Sequence, residues 1–204
     1  MSPRPRKASD DEVFAAAGRV MSRCAPAQWT LADIAAEAGL TAGALVQRFG
    51  SKRGLLVALT AHAAAGTPDA FARLRAAHRT PLAALAAYAD AMAAMGESPG
   101  GLAHHLGYLQ LDLADPDLRR NVLAQARAAR AGVRALLDEA VADGALAAGT
   151  ATAPLARAVE VTLSGSLMTW AFYQEGAASA WVRADLRAVL APHRPAAAGR
   201  ARAR

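Results

Sequence analysis

The chain contains one cysteine, Cys24. That excludes an intramolecular disulfide and a cysteine zinc site, and it fits a reducing compartment in which Cys24 is a buried thiol. Aromatic residues are scarce, at 5% of the chain, while alanine is abundant. That balance favours helix and argues against a β-sandwich. No apolar run is long enough to span a bilayer, and the N-terminus lacks the apolar core of a signal peptide. The expectation is a soluble, cytoplasmic protein with no membrane partner. There is no glycine-rich phosphate loop, no nucleophile elbow and no carboxylate cluster. His104 and His105 are adjacent, and neighbouring helical residues point about 100° apart, so they do not share one ion easily. A metal pair on a helix needs i, i+4 spacing. The chain is therefore expected to have no catalytic residue, no cofactor and no metal.

What is present is a substantial core and a positive charge. The 204 residues are 54% hydrophobic, enough for one or two folded domains. The net charge of +6 and a pI of about 10.4 make a polyanionic partner plausible. Residues 1–62 carry eight basic and five acidic side chains, and the remainder fifteen and twelve, so each part has a net +3. Charge alone does not single out either part. The basic residues of the first part do sit at useful places: Arg4, Arg6 and Lys7 before the first helix, then Arg48, Lys52 and Arg53. Lysine occurs only at Lys7 and Lys52, against twenty-one arginines, a bias that reflects codon usage as much as function.

The chain is organised around Trp29–Leu55. Thr30 caps a short helix over Leu31–Ala38, with Asp33 in its first turn. Leu31, Ile34, Ala35 and Ala38 share one apolar stripe. Gly39 stops that helix and Thr41 caps the next, Ala42–Phe49. Leu45 and Phe49 turn inward. Thr41, Ala42, Gly43, Val46, Gln47 and Arg48 face out, with small residues at the front that allow a deep approach into a groove. Gln47 and Arg48 are side chains able to bond base edges. Ser51 and Lys52 open a third helix, whose N-terminus suits a phosphate. The pattern is helix-turn-helix geometry with the second helix as reader.

Thr30, Ile34, Ala35, Ala38, Gly39, Leu40, Thr41, Gly43, Leu45, Phe49, Ser51, Lys52 and Leu55 stand in unbroken register with one pattern. In these residues the segment resembles the N-terminal DNA-binding domain of the TetR family of transcriptional regulators. One position departs: the family usually has tyrosine where this chain has Val46, which can touch a thymine methyl but cannot donate a hydrogen bond. The resemblance implies an all-α protein, a three-helix DNA-binding domain followed by a larger helical domain for dimerisation and effector binding. It also implies a double-stranded DNA operator, read as a homodimer. Arg48 and Gln47 would read bases, and Thr30, Thr41, Ser51 and Lys52 would hold phosphates. Rival readings are an activator with the same contacts, a DNA-binding dimer without a ligand, or an enzyme or protein-binding helical module.

In chain order, the sequence predicts a flexible basic arm over 1–8, a DNA-binding domain over 9–62, an effector-binding and dimerisation domain over 63–191, and a disordered tail over 192–204. Ser9 or Asp10 caps a first helix reaching about Cys24. A long helix from Ser51 is expected to kink or restart at Gly66-Thr67-Pro68. Further helices are expected over Pro81–Met95, Leu102–Leu113, from Pro116 to about Asp143, Ala153–Glu175 and Ala180–Leu190. The last two are apolar on more than one face, and pairing with their symmetry mates in a four-helix bundle would bury the excess. Leu163, Leu167, Trp170, Trp181, Leu186 and Val189 are the interface candidates. Tyr88, Met92, Met95, His105, Tyr108, Gln110, Trp170 and Tyr173 are candidates for lining an effector pocket, one suited to a hydrophobic or aromatic small molecule.

Overall fold

The computed structural model describes residues 8–94 and 98–195. The basic arm up to Lys7, Met95 and the tail from 196 lie outside the described residues. The described residues are all-α, with no strand. The helices are α1 Asp10–Arg23, α2 Leu31–Ala38, α3 Ala42–Phe49, α4 Lys52–Ala77, α5 Pro81–Ala94, α6 Pro99–Ala114, α7 Pro116–Ala142, α8 Thr152–Tyr173 and α9 Ala178–Leu190. Short 3₁₀ turns occupy Pro26–Gln28 and Ala191–His193.

By internal contacts the chain divides into two compact units. The first comprises residues up to Gly66 together with Ser98–Ala126; the second comprises Thr67–Glu97 and everything from Arg127. In the first, α1 starts at a capping box in which the Ser9 hydroxyl accepts from the Glu12 N–H and Glu12 accepts from the Ser9 N–H. Its buried stripe of Val13, Phe14, Ala17 and Val20 packs with Trp29, Ile34, Ala35, Leu45, Leu55 and Leu56. From α6 and α7 of the same unit, Tyr108 and Leu118 join that core. In the second unit, α5, α8, α9 and the later part of α7 surround a core that includes Leu85, Leu137, Val159, Leu163, Trp170, Val182 and Leu186.

Three local expectations are corrected. The restart at Gly66-Thr67-Pro68 is absent, because α4 runs without interruption from Lys52 to Ala77 with Pro68 inside it. Pro68 has no N–H to give the carbonyl four residues back. The turns that follow are held by Phe71 and Leu74, which pack against the second core. The eighth helix ends at Tyr173, short of the expected Glu175, with Gln174 as its cap in a left-handed conformation at φ 54°. Pro192 and His193, placed in the tail by composition, form part of a turn whose His193 carbonyl accepts from the Ala147 N–H at 2.8 Å.

Candidate nucleic-acid interface and apolar groove

Within the first unit, α2 and α3 are separated by a turn that the chain's own chemistry fixes. The Thr30 hydroxyl accepts from the Asp33 N–H and donates to the Asp33 carboxylate at 2.8 Å, while the Thr30 N–H donates to that carboxylate at 2.7 Å. Those bonds, the backbone one first, hold the Asp33 carboxyl below the usual aspartate range. Gly39, at φ 68°, closes α2, and its N–H returns to the carbonyls of Ala35 and Ala36. The Thr41 hydroxyl then accepts from the Ala44 N–H at 3.2 Å and starts α3.

The turn after α3 is tighter than the sequence announced. A Cβ on Gly54 would lie 2.0 Å from the Phe49 carbonyl oxygen, so only glycine lets the start of α4 approach the end of α3 this closely. The Ser51 oxygen accepts from the Gly54 N–H at 3.0 Å.

On α3, Leu45 is fully buried, and Ala42, Gly43, Val46, Gln47 and Arg48 are exposed, as is Thr41. This is the outward face expected from the sequence. The cations around it are arranged otherwise. Arg48 lies across to α1, where its guanidinium pairs with Asp10 and its Nη1 donates to the Ala8 carbonyl at 2.8 Å. Lys52 turns inward: its ammonium donates to the carbonyls of Pro26 and Trp29 and sits 3.9 Å from the centroid of the Trp29 indole. Burial pushes the Lys52 pKa down, against the pull of Asp33. Arg53 is bidentate on Asp115 and reaches Asp117 at 2.7 Å, and those bonds raise its pKa. Thr30 uses its hydroxyl proton on Asp33, whereas capping hydroxyls such as those of Thr41 and Ser51 accept through oxygen and can still donate outward.

A polar chain inside this unit went unread in the sequence. The Trp29 indole N–H donates to the Tyr108 hydroxyl at 2.6 Å, and Tyr108 donates to the Cys24 carbonyl at 3.0 Å. Burial pushes the Tyr108 pKa up to about 12. A Cβ on Gly107 would be 3.0 Å from Pro26, so α6 lies close against the turn leading into α2. No short-range pattern links residues so distant along the chain.

The pocket candidates are divided between the two units. Tyr108 belongs to the first unit's core, and His105 and Gln110 are exposed on the same helix. Tyr88 and Met92 pack against the second unit's core, Trp170 lies within it, and Tyr173 is exposed. Tyr88 stacks on Phe71 with ring centroids 4.9 Å apart. Met95 lies outside the described residues. The second unit does contain a groove of about 630 Å³, between Pro68, Phe71, Ala72 and Ala76 of α4 and Ala128, Ala131, Gly132, Ala135 and Leu136 of α7. Small side chains on both faces keep it open, and the Arg75–Glu139 ion pair stands in its lining. Phe71 lies over Gly132 so closely that a Cβ there would come within 2.4 Å of the ring.

The interface candidates Leu163, Leu167, Trp170 and Leu186 are buried in the second unit's own core, and Trp181 and Val189 pack against it. The apolar surface of α8 is a different set: Val161, Met168, Phe172 and Tyr173, of which Phe172 is 83% exposed. With Gly165, the first three fall at i, i+4, i+7 and i+11, a spacing that was visible in the sequence. Among the described residues no cluster of His, Cys, Asp or Glu could hold a metal ion, and no helix is long and apolar enough to cross a membrane.

Residues 13–59 match the family model for bacterial regulatory proteins of the tetR family. No curated protein matches the chain by sequence. Solved structures match over nearly its whole length. A TetR transcription regulator from Haloarcula marismortui is 14% identical, with 90% of this chain and 97% of that one covered at a TM-score of 0.70. SmeT, the repressor of the Stenotrophomonas maltophilia multidrug efflux pump SmeDEF, is 22% identical over 92% and 91%, at 0.63. The transcriptional regulator FadR from Bacillus subtilis, solved with stearoyl-CoA, is 17% identical over 89% and 98%, at 0.66. The helix-turn-helix register of residues 30–55 lies inside that matched segment, so residues 13–59 match the tetR family of bacterial regulatory proteins and the whole chain shares the fold of these solved regulators.

Proposed function

We propose that this regulator is a ligand-responsive repressor that occupies a palindromic operator as a homodimer. The observation that carries the DNA contact is the outward face of α3: small residues at its capped front, then Val46, Gln47 and Arg48, all exposed. A short helix covers few base pairs, so two copies related by a twofold axis supply the necessary length. Gln47 and Arg48 read base edges, and Val46 meets a thymine methyl. Thr41 and Ser51 donate to phosphates from helix N-termini. Lys52 acts chiefly from within, bracing the turn at Trp29 rather than reaching out.

Pairing falls to α8 and α9. Val161, Met168 and Phe172 form the apolar stripe available to a second copy, while Leu163, Leu167, Trp170 and Leu186 support it from the core. The effector, a hydrophobic or aromatic small molecule, has its best fit in the groove between α4 and α7 of the second unit. Effector binding releases the operator, and by linkage operator binding weakens effector binding by the same factor.

The test is fluorescence anisotropy against a pool of short duplexes at several salt concentrations. Enrichment of a palindrome, with relaxed preference in Arg48→Ala, supports the reading. Binding no better than random sinks it. Light scattering tests the dimer: wild type should be dimeric, and Phe172→Glu with Val161→Glu should be monomeric yet folded. A monomeric wild type overturns that part. Ala135→Phe should fill the groove and abolish the thermal shift given by any binder found in a panel of hydrophobic and aromatic compounds.

A further inference from the structure

Five of the described cations of the first unit are held within it. Arg19 and Arg23 both pair with Glu37, Arg53 with Asp115 and Asp117, Lys52 with backbone carbonyls, and Arg48 with Asp10. Of these, only Arg48 belongs to the reading helix, and it is that helix's only charged residue.

Its partner stands apart from its neighbours. Three acidic residues open α1. Glu12 closes the capping box on Ser9, and Asp11 lies 3.6 Å from His62. Asp10 is the one that faces α3. Its carboxylate takes the Nη2 edge of Arg48 while the Ala8 carbonyl takes Nη1 at 2.8 Å, so two acceptors fix the orientation of the guanidinium. Both side chains remain open to solvent, at 34% and 54% exposure, so an incoming anion can compete for the guanidinium.

We propose that Asp10 restrains the reading helix: it holds Arg48 against α1, so that Arg48 reaches DNA only by giving up the carboxylate, and operator affinity is set by that exchange. This rests on the reading of α3 as the DNA-contacting helix. A random duplex offers Arg48 a phosphate, one charge exchanged for another, with little gain. A cognate site offers a bidentate contact to a base edge, which random sequence does not. Arg48 must therefore give up the whole ion pair at the operator, whereas on random DNA it gives up no more than a phosphate contact is worth. Removal of the carboxylate should raise both affinities, that for the operator at least as much.

The experiment measures anisotropy of the full chain on a random-sequence duplex and on the duplex enriched from the pool, across a salt series. It compares wild type, Asp10→Asn, Arg48→Ala and the double variant, with Asp11→Asn as a control for general charge. Asp10→Asn should tighten enriched-duplex binding about two- to fivefold, the scale of an exposed ion pair, and random-duplex binding by no more than that. The ratio of enriched to random affinity should hold or rise. In the Arg48→Ala background the same change should do no more than Asp11→Asn does. An equal effect of Asp10→Asn with and without Arg48 would reduce Asp10 to background charge and overturn the proposal, as would a fall in the affinity ratio. A wild type that binds no duplex overturns the DNA reading and this proposal together, whereas a wild type that selects a site while Asp10→Asn is silent overturns this proposal alone.

Discussion

Trp29 in the first unit and Trp170 in the second are both almost wholly buried, and both donate their indole N–H. Trp29 reaches Tyr108, 79 residues away, whereas Trp170 reaches the Gly176 carbonyl six residues on. The contrast extends across the units. In the first, inner polar bonds join distant segments: Tyr108 to Cys24, Lys52 to Pro26, and Asn121 to Val57 and Thr60. In the second, most distant side-chain links are ion pairs with an exposed arginine, such as Arg183–Asp90 and Arg130–Glu160, which contribute little individually. Its packing is alanine and aliphatic volume. The first unit's directional bonds fix its geometry, which the proposed reading of DNA requires; the second unit's apolar contacts can repack, which the proposed effector site requires.

The largest test of that contrast is Leu163→Ala. Leu163 is fully buried in the second core, and its truncation should cost about 2–5 kcal/mol by chemical denaturation. A cost under about 1 kcal/mol would mean that this core is not tightly packed. Next is Tyr108→Phe. It strands the Trp29 N–H and should cost about 1–3 kcal/mol, with increased amide exchange at the start of α2. A neutral result would remove the case for polar bracing in the first unit. Ser166→Ala should act in the opposite sense. Its hydroxyl is buried in the second unit without a hydrogen-bond partner, so removing it should stabilise by up to about 1 kcal/mol in thermal melts. Destabilisation there would place a polar link inside the second core after all.

Thr30→Ala should cost about 1 kcal/mol at neutral pH through loss of the α2 cap. Its pH dependence follows from Asp33, whose folded pKa is depressed by bonds from Thr30. That contribution is complete above the unfolded aspartate range and is lost as pH falls through the folded value. The difference between variant and wild type should therefore shrink in acid. A constant difference across that range would separate the cap from Asp33.

The sequence carried the head well for a physical reason: caps, glycine stops and i, i+4 stripes are short-range signals, and Thr30, Gly39, Thr41 and Leu45 lie where those signals put them. The directions of long side chains were not legible. Arg48 and Lys52 follow partners supplied by α1 and by the Pro26–Trp29 turn, which no local pattern reveals. On α8 the apolar residues were visible, but not which of two apolar stripes faces the core. The helix is amphipathic only weakly, and burial of Leu163 over Val161 is decided by packing against α9 and its neighbours. Pro68 misled for a related reason, since tertiary packing of Phe71 and Leu74 outweighs one missing helical bond.

The two units are cut from one chain at three places, after Gly66, after Glu97 and after Ala126. Neither unit beyond those cuts is a continuous run of sequence. Recombination at a single junction therefore cannot exchange one unit for a relative's. A chimera joined after Gly66 would keep Trp29 while taking its α6 from elsewhere, and the indole would meet a partner only where the donor carries an acceptor at the position of Tyr108. Grafting the helix-turn-helix onto another chain thus requires moving residues 98–126 along with it, or rebuilding the Trp29 contact in the recipient.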